Sequence, residues 1–484
     1  MRFEDVCSIL VQLEEQNNVH SIEINGIILW PLIRLCIWSE LLKPSASKAL
    51  NIQMRSRMLH KLRTLLHKPS NLPGFIPDEV STVFLSKSVN LQKILSSGKL
   101  FDKIMDPLLF LENHQRRSQK VYLGPPPIKS NLFYLGETLV PGFEWHKPLP
   151  QHILGPVREL FSKAGLSELL AETVFKKAYL GYFKWYQIGL RVFKNKKNLK
   201  TVYLSCWYTP QNMGLIAAAR YLGINTVDVQ HGRQGLYHGM YSWWTSMPDG
   251  GYAMMPNWFW CWGKPSVQHI LRHSSQRSVH RPFVGGFPWP DYFFSYISNR
   301  RVSSSNNARR VVLFTLQPPL GSQSEAIPDF VIDHLKSRIA ESDLFIFRAH
   351  PNYLDGRHYC ETRMRDVLKN RYIIDSERKN LYDQFAECTH HITGTSSCCY
   401  EAEMFGVPTL LFGPDAKAMY AEEIEAGRFS WTGGDVNELG DWLSRVQIVE
   451  PKQNNKYIES SLPLAKSKLD ALRYPCTVNN LLDN

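Results

Sequence analysis

The 484-residue chain is long enough for two or three domains, and its 44% hydrophobic content suits sizeable globular cores. A formal charge of +12 favours an anionic partner: nucleic acid, a membrane surface or a phosphorylated substrate. Nine scattered cysteines with no CxxC pair argue against a structural zinc site and for a reducing compartment.

The opening run MRFEDVCSIL has no cationic stretch before an apolar core, so it does not read as a signal peptide. Residues 3–16 carry apolar positions at helical spacing. Residues 27–42 form a second apolar segment, interrupted by Pro31 and Arg34 and short of the roughly 20 residues a spanning helix needs. A third helix is predicted over 52–68, with Ile52, Met58, Leu59, Leu62, Leu65 and Leu66 on one side and Arg55, Arg57, Lys61, Arg63 and Lys68 mainly on the other. Such a helix either lies on an anionic bilayer or covers a core with a solvated face. The expected location is cytoplasmic, with peripheral contact at the inner face of the plasma membrane through this helix.

After a turn-rich break at 70–77, strands are predicted at 82–86 (TVFLS) and 120–123 (KVYL), with a helical stretch at 100–113 between them. Residues 157–194 are largely helical. The basic connector 191–200 (RVFKNKKNLK) has too little aromatic interleaving for a nucleic-acid surface, and no nucleic-acid partner is expected. A strand at 201–206, a helix at 211–222 and a strand at 226–229 make one βαβ unit, which ends in Gln230-His231-Gly232. Further strands are predicted at 258–262 and near 282.

Past the polar stretch 301–309 the alternation restarts. A strand at 310–315 and a helix at 330–340 precede a strand at 344–347 that leads into Arg348-Ala349-His350-Pro351. A helix at 361–369, a strand at 372–374 and a helix at 381–388 follow. Residues 390–414, HHITGTSSCCYEAEMFGVPTLLFGP, read as strand, hydroxyl turn, helix, strand. The pattern predicts an α/β protein with two Rossmann-like doubly wound domains facing a cleft and an N-terminal helical segment. The boundaries are 1–300 for the first domain, 301–309 for a linker, 310–450 for the second domain and 451–484 for closing helices and tail.

In such sheets ligands lie beyond the carboxyl ends of the strands, and three predicted loops converge there. His231 from the first half has a pKa suited to a general base acting on an acceptor hydroxyl. Asp228, inside its strand, is the alternative base, and Gln230 flanks the same acceptor side. From the second half, His350 and Arg348 would steady a departing phosphate. Thr395, Ser396 and Ser397 would grip a nucleotide at a helix N-terminus, and Glu401, one turn on, would reach a ribose hydroxyl. The plainer alternatives are a helix cap for Ser396 or Ser397, a satisfied structural role for each histidine, and charge balance for Glu401.

Glu401-Ala402-x-x-x-Gly406-x-Pro408 behind a hydroxyl turn resembles the donor-nucleotide site of GT-B glycosyltransferases. His350-Pro351 with Ser396-Ser397 is similar to the HP motif and paired serines of bacterial sialyltransferases and Kdo transferases, where they hold the phosphate of CMP. The run 405–431 resembles capsule-polysaccharide biosynthesis proteins. Gln230-His231-Gly232 resembles the HG motif of teichoic-acid glycerophosphotransferases, which use CDP-glycerol. The likeness spans roughly 201–431. The chain has no Asp-Asp-Gly or Glu-Asp-Gly motif, which shifts the base role to His231, and no DxD metal motif lies in the expected cleft. The resemblance implies GT-B architecture and a metal-independent, inverting glycosyltransferase without a cofactor. Its partners would be a nucleotide-activated sugar, CMP-linked and Kdo- or sialic-acid-like, and a glycan or glycolipid acceptor of a bacterial capsule or lipopolysaccharide. A CDP-polyol glycerophosphotransferase, a nucleotide-sugar epimerase and a non-catalytic assembly scaffold are the alternatives.

Overall fold

The computed structural model describes residues 1–43, 75–87, 90–93, 98–112, 117–124, 132, 136–139, 149–272, 279–291, 310–323, 325–337, 343–350, 353, 356–375, 380–445 and 447–473. The expected basic helix at 52–68, the linker at 301–309 and Pro351 lie outside them.

Two parallel sheets dominate. The first takes β1 (Thr82–Ser86), β2 (Ser118–Leu123), β3 (Glu137–Leu139), β4 (Thr201–Leu204), β5 (Asn225–Val229), β6 (Trp258–Cys261) and β7 (Arg281–Val284). Their spatial order is β7-β6-β5-β4-β1-β2-β3, with every neighbouring pair parallel. The second takes β8 (Val311–Thr315), β9 (Leu344–Arg348), β10 (Tyr372–Asp375), β11 (His390–Thr393), β12 (Thr409–Phe412) and β13 (Ser430–Thr432). It runs β10-β9-β8-β11-β12-β13, again all parallel. Parallel sheets bury both faces, which is why β1, β4, β6, β11 and β12 are buried along their whole length.

Crossover helices cover these sheets. Helix α4 (Lys176–Phe193) lies against α5 (Pro210–Tyr221) at very short range. A Cβ on Gly214 would stand 2.4 Å from the Tyr182 carbonyl oxygen, so only glycine permits that approach. In the second domain α6 (Cys398–Met404) ends in a Schellman motif. Val407 N–H donates to Ala402 O at 2.9 Å and Gly406 N–H to Glu403 O at 2.9 Å. Gly406 sits at φ +65°, where a side chain would be strained and would also strike Val449.

The N-terminal segment holds α1 (Phe3–Gln16) and α2 (Trp30–Leu41), joined by a two-stranded hairpin of Glu23–Ile24 and Ile27–Ile28. A fully buried ion pair fixes both helices to the first domain. Arg34 meets Glu14 at 2.6 Å and also donates to the Gly239 and Trp243 carbonyls at 2.8 and 2.9 Å. The other Glu14 oxygen accepts from Thr245 N–H at 2.8 Å. The same segment reaches the second domain: Phe3 N–H donates to Asp415 at 3.2 Å and Gly321 N–H to Leu42 O at 3.0 Å.

The chain end returns the other way. Glu459 N–H donates to Trp262 O at 2.9 Å, Phe287 N–H donates to Glu459 O at 2.7 Å, and α7 (Leu462–Arg473) packs on α3 (Asp106–Glu112) of the first domain.

The 100–113 stretch differs from the expected helix. Leu100–Asp102 pairs antiparallel with Leu91–Lys93, and helix α3 begins only at Asp106. Asp102 accepts from Ile104 and Met105 N–H at 2.9 and 3.1 Å, which stabilises a turn in place of a first helical turn. The helix expected at 361–369 lies earlier, at Gly356–Arg363.

Candidate functional site

The carboxyl ends of β5 and β6 on one side and of β8, β9 and β11 on the other carry the loops that meet between the domains. On the first-domain side, Gln230 follows β5 and is fully buried. Its Oε1 accepts from Trp262 N–H at 2.6 Å and its Nε2 donates to Gly232 O at 2.8 Å. Gln230 therefore brackets the His231–Gly232 turn. His231 is half-buried, and its Nδ1 makes no hydrogen bond among the described residues. Burial holds the imidazole down to about 3, with the charges of Lys87, His238, Lys103 and His350 adding to the effect. It is thus neutral near pH 7 but a weaker base than the near-neutral imidazole expected from the sequence, because burial and the surrounding positive charges disfavour its protonated form.

Asp228 lies beneath this turn inside β5. Its oxygens accept from Trp207 N–H at 3.0 Å and from the Tyr241 hydroxyl at 2.8 Å. Burial pushes its carboxyl up to about 7 against those hydrogen bonds.

On the second-domain side, the hydroxyl turn follows β11. Thr395 donates its hydroxyl to Gln317 Oε1 at 2.8 Å, and the Ser396 hydroxyl accepts from Cys398 N–H at 3.3 Å. Two of the three hydroxyls therefore hold the turn itself. Ser397 is half-buried and points at the first domain: its Oγ lies 3.8 Å from where a Cβ on Gly232 would stand. Glu401 is fully buried; its Oε1 accepts from the Tyr382 hydroxyl at 2.8 Å, and its Oε2 has no hydrogen-bond partner among the described residues.

Arg348, the last residue of β9, bonds Gln384 Oε1 at 2.7 Å and Asp375 at 3.2 Å. That leaves it aligned on second-domain partners beside the turn. His350 is half-buried two residues further on. Burial and then the nearby charges of Lys103 and Arg348 hold its imidazole at about 4.

The structure thus sets Ser397 against Gly232 and Glu401 against Lys103 across the domain boundary, brings His231 and His350 close enough for their charges to interact, and puts Asp228 and Gln230 underneath as buried supports. Sequence reasoning missed Lys87, Lys103, Arg233 and Tyr457. Lys103 meets Glu401 at 3.5 Å across the domain boundary. Arg233 lies over the Tyr420 ring at 4.4 Å and donates to Met419 O, while the Tyr420 hydroxyl donates to the Thr395 and Ser396 carbonyls at 3.1 and 2.9 Å. Lys87 directly follows β1, a strand-end position that could have been found. The others sit where no local pattern marks them.

No protein-family model matches the sequence, and no curated protein matches it in sequence. Solved structures match in three dimensions. The UDP-GlcNAc 2-epimerase of Methanocaldococcus jannaschii, in complex with UDP-GlcNAc and UDP, aligns at 13% identity over 82% of this chain and 100% of its own, with a TM-score of 0.50. The Neisseria meningitidis UDP-GlcNAc 2-epimerase bound to UDP-GlcNAc aligns at 13% identity over 84% of this chain and 100% of its own, with a TM-score of 0.48. The wall teichoic acid polymerase TagF soaked with CDPG aligns at 12% identity over 88% of this chain and 92% of its own, with a TM-score of 0.41. Two Rossmann-like α/β domains set face to face define the chain as a protein of GT-B-like fold.

Proposed function

We propose that the protein is an enzyme that binds a nucleotide-activated sugar between its two domains and acts at the bond joining sugar to phosphate. One observation carries this reading: a neutral imidazole with an unpartnered Nδ1, His231, sits beside Gly232 where Ser397 of the other domain approaches, and within reach of the charge of His350. Glu401 Oε2, buried and without a partner among the described residues, suits a ribose hydroxyl donor. Ser397, His350 and Arg348 suit the phosphate oxygens.

His231 would take the proton that the reaction releases. A phosphate anion between the domains offsets the surrounding positive charge and so raises the basicity of both imidazoles. Asp228 is the weaker base candidate, because both its oxygens already serve buried donors.

Two fates of the sugar fit this geometry. One is transfer to a glycan or glycolipid hydroxyl, the glycosyltransferase form, with CMP-linked sugars as donors; a CDP-polyol would instead break at its phosphoanhydride, passing polyol phosphate to the acceptor and releasing CMP. The other is epimerisation of the free nucleotide sugar, and the fold likeness to a UDP-GlcNAc 2-epimerase supports this form at least as well. The UDP-GlcNAc and UDP held in that structure make uridine diphosphate the first nucleotide to try. The deciding experiment incubates the protein with UDP-GlcNAc alone and follows the configuration at C2. In parallel, CMP-sugars and CDP-glycerol are incubated with and without saccharide acceptors. An epimer without acceptor establishes the second form, acceptor-dependent release of nucleotide the first, and no turnover of any of them overturns both.

A further inference from the structure

Lys103 is mounted with unusual rigidity for a lysine in a loop. Its neighbour Asp102 accepts from Ile104 and Met105 N–H and from the Ser86 hydroxyl, and Asp102 N–H donates to Asp106 at 2.8 Å. Asp106 in turn pairs with the buried Lys120. The hairpin that carries Lys103 is docked on the second domain: Leu381 N–H donates to Gln92 Oε1 at 3.2 Å, and Phe101 stacks at 4.5 Å on Trp289, which packs on Tyr382 with ring centroids 5.8 Å apart. From this mount the Lys103 amino group lies 3.5 Å from Glu401 Oε1 and 5.9 Å over the Phe287 ring. Its charge is also felt at His231, His350 and Cys398, so it stands centrally among the groups that face the cleft.

Glu401 Oε1 serves both the Tyr382 hydroxyl and the Lys103 ammonium, while Oε2 is left without a partner among the described residues. A ribose hydroxyl that donates to Oε2 draws on the same carboxylate charge and so loosens the hold of Oε1 on the ammonium. The released ammonium keeps its mount and has anionic oxygen as its natural next partner. We propose that Lys103 is a specificity-determining phosphate contact, held by Glu401 Oε1 before a nucleotide binds and handed to the second phosphate of a nucleoside diphosphate when the ribose engages Oε2. Lys103 then ties the first domain to a ligand otherwise held by the second, and it distinguishes diphosphate from monophosphate. This assignment rests on the nucleotide-binding reading above.

The test is calorimetric titration of the full chain with uridine, UMP, UDP, CMP and CDP, on wild type, Lys103→Gln, Lys103→Arg and Glu401→Gln. A charge-assisted contact of this kind is worth about tenfold or more in affinity. Wild type is expected to bind a diphosphate about tenfold or more tightly than its monophosphate. Lys103→Gln is expected to erase most of that ratio and leave the monophosphate within about twofold, with Lys103→Arg restoring the preference and a weaker salt dependence in the Gln variant. Glu401→Gln is expected to weaken uridine and UDP alike. Equal binding of mono- and diphosphate by wild type, or an equal loss of both in Lys103→Gln at unchanged melting temperature, overturns the assignment while the functional reading stands. Failure of wild type to bind any of these nucleotides overturns the functional reading and the assignment together.

Discussion

Tyr457 lies flat on Tyr400, with ring centroids 3.8 Å apart and planes 5° from parallel, and its hydroxyl accepts from Gln234 N–H at 3.2 Å. One phenol thereby joins α6 of the second domain to the loop that carries His231. Replacing it with phenylalanine keeps the stack and removes the acceptor. Tyr457→Phe is expected to lose about 1–2 kcal/mol in denaturant unfolding, from the stranded Gln234 N–H, and to lower turnover by loosening the His231 loop. An unchanged midpoint and unchanged turnover would show that the contact only fills space.

His231→Ala removes the group placed to take the proton. Turnover is expected to fall by about 10²–10⁴-fold, with nucleotide affinity within a few-fold of wild type, as measured by steady-state rates beside calorimetry. His350→Ala is expected to weaken the phosphorylated nucleotide far more than the nucleoside. The reverse pattern would exchange the two roles.

Nucleotide binding should take up protons. His350 sits at about 4 and His231 at about 3, so both are neutral near pH 7. An anionic phosphate raises both values, and any imidazole carried toward neutrality binds part of a proton on complex formation. The measurement is the binding enthalpy at pH 6 in buffers of different ionisation heat. A slope of zero would show that no imidazole senses the phosphate.

The pH dependence of stability has a definite sign. His231, His238, His269, His350 and His391 are held at about 3 or 4 in the folded chain, burial being the first cause in each, against an ordinary value of 6.5. Such a group contributes stability that is present in full above 6.5 and is lost as pH falls toward the folded value, because the unfolded chain gains protons first. Asp106 and Asp228, raised to about 7, act in the opposite direction as pH falls from 7 toward 3.8, but they are two against five. The melting temperature is therefore expected to drop between pH 6.5 and 5. A flat profile would mean that the five imidazoles are hydrated.

Breaking the buried Glu14–Arg34 pair should cost far more than any surface ion pair. Arg34→Met leaves a carboxylate without its cation and is expected to destabilise by about 3–5 kcal/mol, with Glu14→Gln added in the same chain recovering part of the loss. Thermal unfolding of single and double variants measures both. A loss below about 1 kcal/mol would place Glu14 in contact with solvent.

Much of the fold was legible because parallel strands buried on both faces leave short apolar runs. Residues 83–85 and 258–261 show this, and the strand, turn and helix from His390 to Met404 lie where they were expected. Three-residue elements were not legible. Leu91–Lys93, Leu100–Asp102, Glu137–Leu139 and Ser430–Thr432 are too short for a period of two to stand out. Lys103 was lost with the hairpin that carries it. Arg233 and Tyr457 were lost because their partners, Tyr420 and Tyr400, are distant in sequence and nothing local signals them. The hydroxyl turn was legible as a motif, and the local bond from Cys398 N–H to the Ser396 hydroxyl agrees with the capping role stated as its plainer alternative, while the diversion of Thr395 to Gln317 is a tertiary fact.

The return of Glu459 and α7 to the first domain bears on how the protein is made. The surfaces of Trp262, Phe287 and α3 that receive this segment are synthesised long before it. During translation the first lobe must wait, partly uncovered, until nearly the whole polypeptide has left the ribosome, and apolar surface exposed for that long is a natural client for chaperones.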